Sequence, residues 1–420
     1  MGERRIKFLH LADVHLDTVF QNREAKMRAL LREAGREAFR AGVDLALAAD
    51  CHALLISGDL FDNQTLSFTT EKFLLTEMQR LAQGQVQVFY ATGNHDPAGS
   101  KYRAQKIRWP NNVHIFAQRT PKAYPLLNSE GQTIAMIVGA GHENSRESEN
   151  LATSFPAVQN YEVPSIAVLH ALVTGSSSEA EHERYAPCTL LDLTEKGYVY
   201  WALGHVHRRG ILSESPHVVY PGNLLGRNPR ENGIKGAYLV EIDDYGQVEI
   251  DFYPLAPLCW HDLTINNLAE ADNLEKLEQL IVRAVEVQLK DKLREEKILL
   301  RLKLIGPCPL YRELAVAENL AALTENLTPL LSLEYLELNA EGVFPPLYLG
   351  RYRDEPHILS ELLNLISALT GDEAKLLELA PERLAGCPQN IESKEKINYL
   401  YTLLQGLDYE AVARLVEVEE

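Results

Sequence analysis

The sequence predicts an α/β protein whose residues 1–255 form one layered sandwich domain. Three observations carry that prediction. Short apolar runs ending in polar residues recur at 5–11, 53–57 and 86–91, the pattern of buried strands with polar ends. Two stretches of helical periodicity, 23–49 and 66–81, lie between them, as in a β-α-β-α-β unit. The 420 residues are 46% hydrophobic and 24% charged, a balance that suits two or three globular domains and excludes a disordered or collagen-like chain.

The remaining elements follow in order. Strands are predicted at 133–138, 165–170, 198–203, 217–220 and 237–242. The segment PLAPLCW at 254–260, rich in proline and apolar residues, marks a domain boundary. Beyond it, strand 261–265, helix 273–292, strand 298–305, helix 315–330 and strand 333–338 make a small α+β domain spanning 256–350. Residues 351–420 read as a helical segment, with apolar repeats in HILSELLNLISAL, EAKLLELA, EKINYLYTLL and EAVARLV. Short amphipathic helices of this kind need a partner surface. No internal repeat interrupts the pattern.

Charge narrows the function classes. With 41 basic and 59 acidic residues the net charge is −18, so bulk electrostatics does not bind this chain to nucleic acid or to an anionic membrane. The charge is uneven, however. Residues 1–122 carry 17 basic against 13 acidic side chains, and residues 261–420 carry 16 against 29, so polyanion contact belongs to the first domain. No stretch approaches the ~18 uninterrupted apolar residues of a membrane span, and no secretory signal precedes the first strand. Cys51, Cys188, Cys259, Cys308 and Cys387 are odd in number and contain no C-x-x-C pair, which argues against a disulfide framework or a zinc finger. Cytoplasm is the expected compartment.

Five short motifs carry the chemistry, each after a predicted strand: Asp13-Val14-His15, Gly58-Asp59-Leu60-Phe61-Asp62, Gly93-Asn94-His95-Asp96, the single His170, and Gly204-His205-Val206-His207. Loops after parallel strands converge on one sheet edge, so these residues can meet in one site. In D-x-H and H-x-H, residues two apart in extended backbone point to the same face. Glycine before Asp59, Asn94 and His205 is read as a turn device. Asp13, His15, Asp59, Asn94, His170, His205 and His207 are too many ligands for one tetrahedral or octahedral ion, so two divalent ions are expected, with Asp59 as the bridging carboxylate. Mixed nitrogen and oxygen donors favour Mn2+, with iron or zinc as alternatives. Such a pair activates water and stabilises phosphoryl charge, which favours hydrolysis of a phosphoester. His95 is assigned to the transition-state oxygen or to protonating the leaving group.

This motif set resembles that of the calcineurin-like metallophosphoesterases. FLHLADVHLD, ISGDLFD, ATGNHDP, YWALGHVH and YPGNLLGRNPRENGIKGAYLVEI are similar to SbcD-type DNA repair exonucleases, and within them to a bacterial YhaO-like group. The resemblance implies a four-layer α/β/β/α sandwich, a capping domain and exonuclease or endonuclease activity on DNA. It implies one metal held by Asp13, His15, Asp59 and His207, a second by Asp59, Asn94, His170 and His205, and His95 as the catalytic histidine. It also implies an SbcC-like coiled-coil ATPase docking on the C-terminal helices; a homodimer is left open. Two positions depart from the family pattern, Asp62, where some relatives carry histidine, and Val199, where an aspartate is usual.

Around the motifs, Arg103 and Arg108 follow GNHD, and Arg208, Arg227 and Arg230 follow GHVH; all five are candidates for gripping DNA phosphates. Asp17 and Asp62 read as supports behind the ligands or as turn residues, and Asp96 as a group that orients its neighbours. His10 and His142 have no assigned role beyond strand packing or lining the cleft. The residues leave two other functions open, hydrolysis of nucleotides or other small phosphoesters, and regulation by DNA-end binding with little chemistry.

Overall fold

Strand alternation decides how this chain stacks. In β1 (Ile6–Leu11), β2 (Ala53–Ser57) and β3 (Gln87–Ala91), Leu9, Leu11, Leu54, Ile56, Val88 and Tyr90 pack in a core with the apolar faces of α1 (Ala25–Ala48) and α2 (Phe68–Gln83). The alternate side chains Phe8, Leu55 and Phe89 enter a second core. A period of two with both sets apolar is what a strand covered on both faces requires. The computed structural model describes residues 5–21, 23–62, 66–99, 106–158, 162–175, 183–243, 245–346, 358–379, 393–404, 407–408 and 411.

The first sheet has the order β12-β11-β1-β2-β3-β4, with β4 at Val113–Phe116, β11 at Gly236–Ile242 and β12 at Val248–Pro254. Strands β1 to β4 are parallel, and β11 runs antiparallel to both β1 and β12. The second sheet, β5-β6-β7-β8-β10-β9, uses β5 (Lys122–Leu127), β6 (Thr133–Gly139), β7 (Ser165–His170), β8 (Tyr200–Gly204), β9 (Gly210–Glu214) and β10 (His217–Tyr220). Its inner face contributes Ile137, Ile166, Val168, Tyr200 and Ala202 to the core shared with Phe8, Leu55 and Phe89. Its outer face, with Ala167, Leu169, Trp201 and Leu203, packs with Leu151 of a 3-10 turn and with Leu193 of the five-residue α3 (Leu190–Thr194). The layers are therefore α/β/β/α, as expected, with a thin fourth layer. Buried His10 links the sheets: its ring bonds Tyr200 Oη at 3.0 Å and Ser57 Oγ at 3.1 Å.

Four strands escaped the sequence pattern, β4, β5, β9 and β12, and they are the four edges of the two sheets. The N-terminus of α2 is closed from a distance. Ser67 caps it by accepting from Thr70 N, while Asp17, in the loop after β1, accepts from Ser67 N at 2.6 Å and Thr70 Oγ1 at 2.7 Å.

The chain divides into two compact units, residues 1–261 and 262–420. A three-stranded sheet that starts in the last residues of the first unit has the order β13 (Cys259–Ile265), β14 (Ile298–Pro307) and β15 (Tyr335–Phe344), with β14 and β15 parallel. After α4 (Leu274–Leu289), the short α5 (Lys292–Glu295) and α6 (Tyr311–Leu314) precede α7 (Ala317–Leu330). Helix α4 buries Leu277, Ile281, Val285 and Leu289, one face at four-residue spacing, with Leu323 and Leu327 of α7 in the same core. Helices α8 (Ile358–Thr370), α9 (Glu373–Leu379) and α10 (Ser393–Leu404) also belong to this unit. The predicted helix in EAVARLV lies outside the described residues except for Ala411. Among the described residues no helix is long and apolar enough to cross a membrane.

Candidate metal centre

The five motifs leave the C-terminal ends of β1, β2, β3, β7 and β8, all parallel within their sheets. The loops after β1 and β2 run on side by side, with Asp13 N donating to Gly58 O at 3.1 Å, His15 N to Asp59 O at 2.9 Å and Leu16 N to Leu60 O at 3.1 Å. This pairing corrects the expected geometry of D-x-H. The backbone is not extended there: φ is 50° at both Asp13 and His15, 53° at Asp59 and 101° at His205. Left-handed turns aim the side chains inward while the loops keep their ladder.

The glycine reading is corrected as well. Gly58 has φ 89° and turns the chain, but Gly93 and Gly204 are needed for what a side chain would strike. A Cβ on Gly93 would lie 2.2 Å from Asp59 Oδ1, and one on Gly204 would lie 1.8 Å from the Ser57 carbonyl oxygen that His170 Nδ1 contacts at 2.9 Å. Gly204→Ala is therefore expected to lower the free energy of unfolding by about 3 kcal/mol, the upper end for overpacking. Urea melts would measure it, and a midpoint equal to wild type would refute the close-approach argument.

Most of the predicted ligands converge. Asp59 Oδ2 lies 3.6 Å from His15 Nε2 and 3.5 Å from His170 Nε2. His207 Nε2 is 3.8 Å from Asp13 Oδ1 and 3.4 Å from His15 Nε2, and His170 Nε2 is 2.9 Å from Asn94 Oδ1. Asp13, His15 and His207 offer ligand atoms within 4.8 Å of one another, and so do Asp13, Asp59 and His170. His205 borders both groups: its N–H donates to Asp13 at 3.1 Å, its Nε2 contacts Glu183 O at 2.7 Å, and its ring sits edge-on to that of His170 at 5.2 Å.

Asp62, read from sequence only as a support or turn residue, stands between two histidines. Its Oδ1 is 3.0 Å from His15 Nδ1 and 3.0 Å from His95 Nδ1. An acid facing developing phosphate charge would be repulsive, but here it is paired. Asp96 behaves as expected of an orienting group, accepting from Gly93 N at 2.6 Å, Asp59 N at 3.2 Å, Leu60 N at 2.5 Å and Tyr90 Oη at 2.5 Å. His142 contacts the His170 carbonyl at 2.8 Å.

Of the arginines, Arg227 reaches the site, with Nη2 3.1 Å from His207 Nδ1 and 3.2 Å from Glu231 Oε1. Arg108, Arg208 and Arg230 are exposed, and Arg103 lies outside the described residues. Sequence reasoning missed Glu231. Its only signal is a lone acid in the otherwise basic stretch GRNPREN.

Burial shapes the electrostatics. It holds His170 well below the ordinary histidine value, lowers His15 with help from Arg227, and takes His207 down to about 3. Neutral imidazole is the form that ligates metal. Burial, then Asp59, raises Asp13 well above the usual carboxylate range. Burial also works against ionised Asp59, while His170, His15 and His95 hold the carboxyl low to the extent that each ring is protonated. At His95, burial opposes the charged form, yet the hydrogen bond to Asp62 and the charge of Asp59 push it up to about 9. Two crowded, buried carboxylates facing neutral imidazoles form a donor set that fits divalent cations.

The calcineurin-like phosphoesterase family model matches residues 6–209. The chain is 34% identical over 281 residues to the uncharacterized metallophosphoesterase YhaO of Bacillus subtilis, covering 66% of each protein. It is 22% identical over 326 residues to the DNA double-strand break repair protein Mre11 of Sulfolobus acidocaldarius, across 74% of this chain and 78% of that one. A shorter match, 29% over 115 residues and 26% of each chain, is to a subunit of the nuclease SbcCD of Rhodobacter capsulatus. The chain thus spans about two thirds of the length of YhaO. With the family model over residues 6–209 and the 34% identity to YhaO, the chain belongs to the calcineurin-like phosphoesterases.

Proposed function

We propose that this chain is a two-metal phosphodiesterase that hydrolyses DNA, acting in repair or end processing beside an SbcC-like ATPase that docks on the C-terminal helices. One observation carries the reading: the Asp59 carboxylate lies between His15 and His170, so it can serve two cation positions at once. Asp13, His15, Asp59 and His207 would hold one ion, and Asp59, Asn94, His170 and His205 the other, with Mn2+ the preferred metal. Bound there, the ions supply charge stabilisation to phosphoryl oxygens and lower the pKa of attacking water.

The rest is done by the chain. His95, pinned at Nδ1 by Asp62 and with 43% of its side chain exposed, is placed to give a proton to the leaving oxygen. Asp62 keeps that proton on His95 and keeps the His15 ring in place. DNA as substrate is supported by the relatives named for double-strand break repair and for the SbcCD nuclease, and by the basic excess of residues 1–122. The net charge of −18 favours a second reading, small phosphoesters.

Cleavage of end-labelled double-stranded DNA, measured beside a small phosphodiester at low salt with Mn2+, separates the two. DNA cleavage that EDTA abolishes, and that falls steeply as salt rises, is expected. Ester hydrolysis that leaves DNA intact, even with the coiled-coil ATPase added, would sink the DNA reading and leave the small-substrate one.

A further inference from the structure

We propose that Glu231 sets the tautomer of His207, making it the positioning residue for the cation that Asp13, His15 and His207 would share; this rests on the metal-centre reading above. Glu231 ends the 3-10 turn Pro229–Glu231, and 13% of its side chain is exposed. Both carboxylate oxygens are engaged. Oε1 is 3.0 Å from His207 Nδ1 and 3.2 Å from Arg227 Nη2, while Oε2 accepts from Asn223 Nδ2 at 2.6 Å and from Arg227 N at 2.8 Å.

Two groups of opposite character meet at His207 Nδ1: the Glu231 carboxylate, which only accepts, and the Arg227 guanidinium 3.1 Å away, which only donates. Neutral imidazole has one N–H, so the winner at Nδ1 decides what Nε2 presents. Nε2 faces Asp13 Oδ1 at 3.8 Å and His15 Nε2 at 3.4 Å. If Glu231 prevails, the proton sits on Nδ1 and the Nε2 lone pair points into the cluster. If Arg227 prevails, Nε2 carries the proton and points it where a cation would bind. The backbone under the ring is also held, because the His207 carbonyl accepts from Lys235 Nζ at 3.0 Å and from Asn223 N at 3.2 Å. A carboxylate behind a ligating histidine is a recurrent way to fix ring and tautomer.

Glu231→Gln tests this because its outcome is set by the other oxygen. Both partners of Oε2 can only donate, whereas His207 Nδ1 can become an acceptor by changing tautomer, so the glutamine carbonyl settles on the Oε2 side and its NH2 faces His207 Nδ1 as a donor, at the loss of the Arg227 Nη2 contact. Acceptor becomes donor with almost no change in shape, and the tautomer inverts.

The metal-free full-length chain would be titrated with Mn2+, with free ion read by electron paramagnetic resonance. Wild type is expected to take two ions. Glu231→Gln is expected to weaken one of them by about 10- to 100-fold and to leave the other unchanged. Nitrogen-15 spectra of the metal-free histidine-labelled chain, with the His207 signal assigned by its loss in His207→Gln, should show the proton on Nδ1 in wild type and on Nε2 in Glu231→Gln. Circular dichroism melts check that the variant folds. Unchanged titration, equal weakening of both ions, or a proton that stays on Nδ1 would overturn the inference. Fewer than two ions on wild type would instead overturn the two-ion reading, and the nitrogen spectra would still decide the role of Glu231.

Discussion

Asp59→Asn is expected to reduce Mn2+-dependent phosphodiester hydrolysis by about 10³-fold or more. The argument starts from the two oxygens. Oδ2 faces His15 Nε2 and His170 Nε2 at 3.6 and 3.5 Å, and Oδ1 accepts the His95 N–H at 2.8 Å. An amide keeps the shape and can keep the bond from His95, but it removes the negative charge that both cation positions would share. Lewis-acid stabilisation of a phosphoryl transition state is worth several kcal/mol, and each 1.4 kcal/mol is about tenfold in rate. Initial rates on a small phosphodiester, with Mn2+ titrated for each protein, would measure the loss. Retention of activity within tenfold of wild type would remove Asp59 from the centre of the reaction.

His95→Gln should lower the rate by about 10²- to 10⁴-fold with folding intact, the usual range for a lost general acid. Here the pH profile adds a direction. In the metal-free chain Asp62 and Asp59 outweigh burial and push His95 up to about 9; with cations on Asp59 the hydrogen bond to Asp62 still favours the donating form, which is lost as pH rises into the alkaline range. The wild-type rate should fall on that alkaline limb. Asp62→Asn removes the carboxylate 3.0 Å from Nδ1, so the limb should move to lower pH, and in His95→Gln it should vanish. A limb that persists in His95→Gln would belong to another group and would take the proton-donor role from His95.

Much of this site was legible because each ligand sits in a short local word. A strand end, a glycine and one or two polar residues identify the loop, and parallel strands bring the loops to one edge without long-range information. What the words could not give is pairing between loops. Asp62 reads as a support or a turn residue with no partner named until its contacts with His15 and His95 are known, and Glu231 meets His207 across 24 residues of chain. The fold divides in the same way. Central strands buried on both faces announce themselves as apolar runs, whereas β5 carries Pro125 and exposes four of its six residues, and β12 alternates glutamate and aspartate with partly buried apolar residues. Edge strands are incompletely buried, and β4 has only four residues, so they lack the long buried apolar run that the central strands give.

The left-handed backbone at His15 and His205 has a cost in evolvability. Aspartate tolerates that region, but histidine at φ 50° and 101° is held there by its surroundings at about 1–3 kcal/mol each. Glycine at position 15 or 205 would relax the chain and discard an imidazole in one step. A screen that rewards thermal endurance alone should therefore drift toward sturdier, inactive proteins through these two codons, and a screen for turnover should hold them fixed.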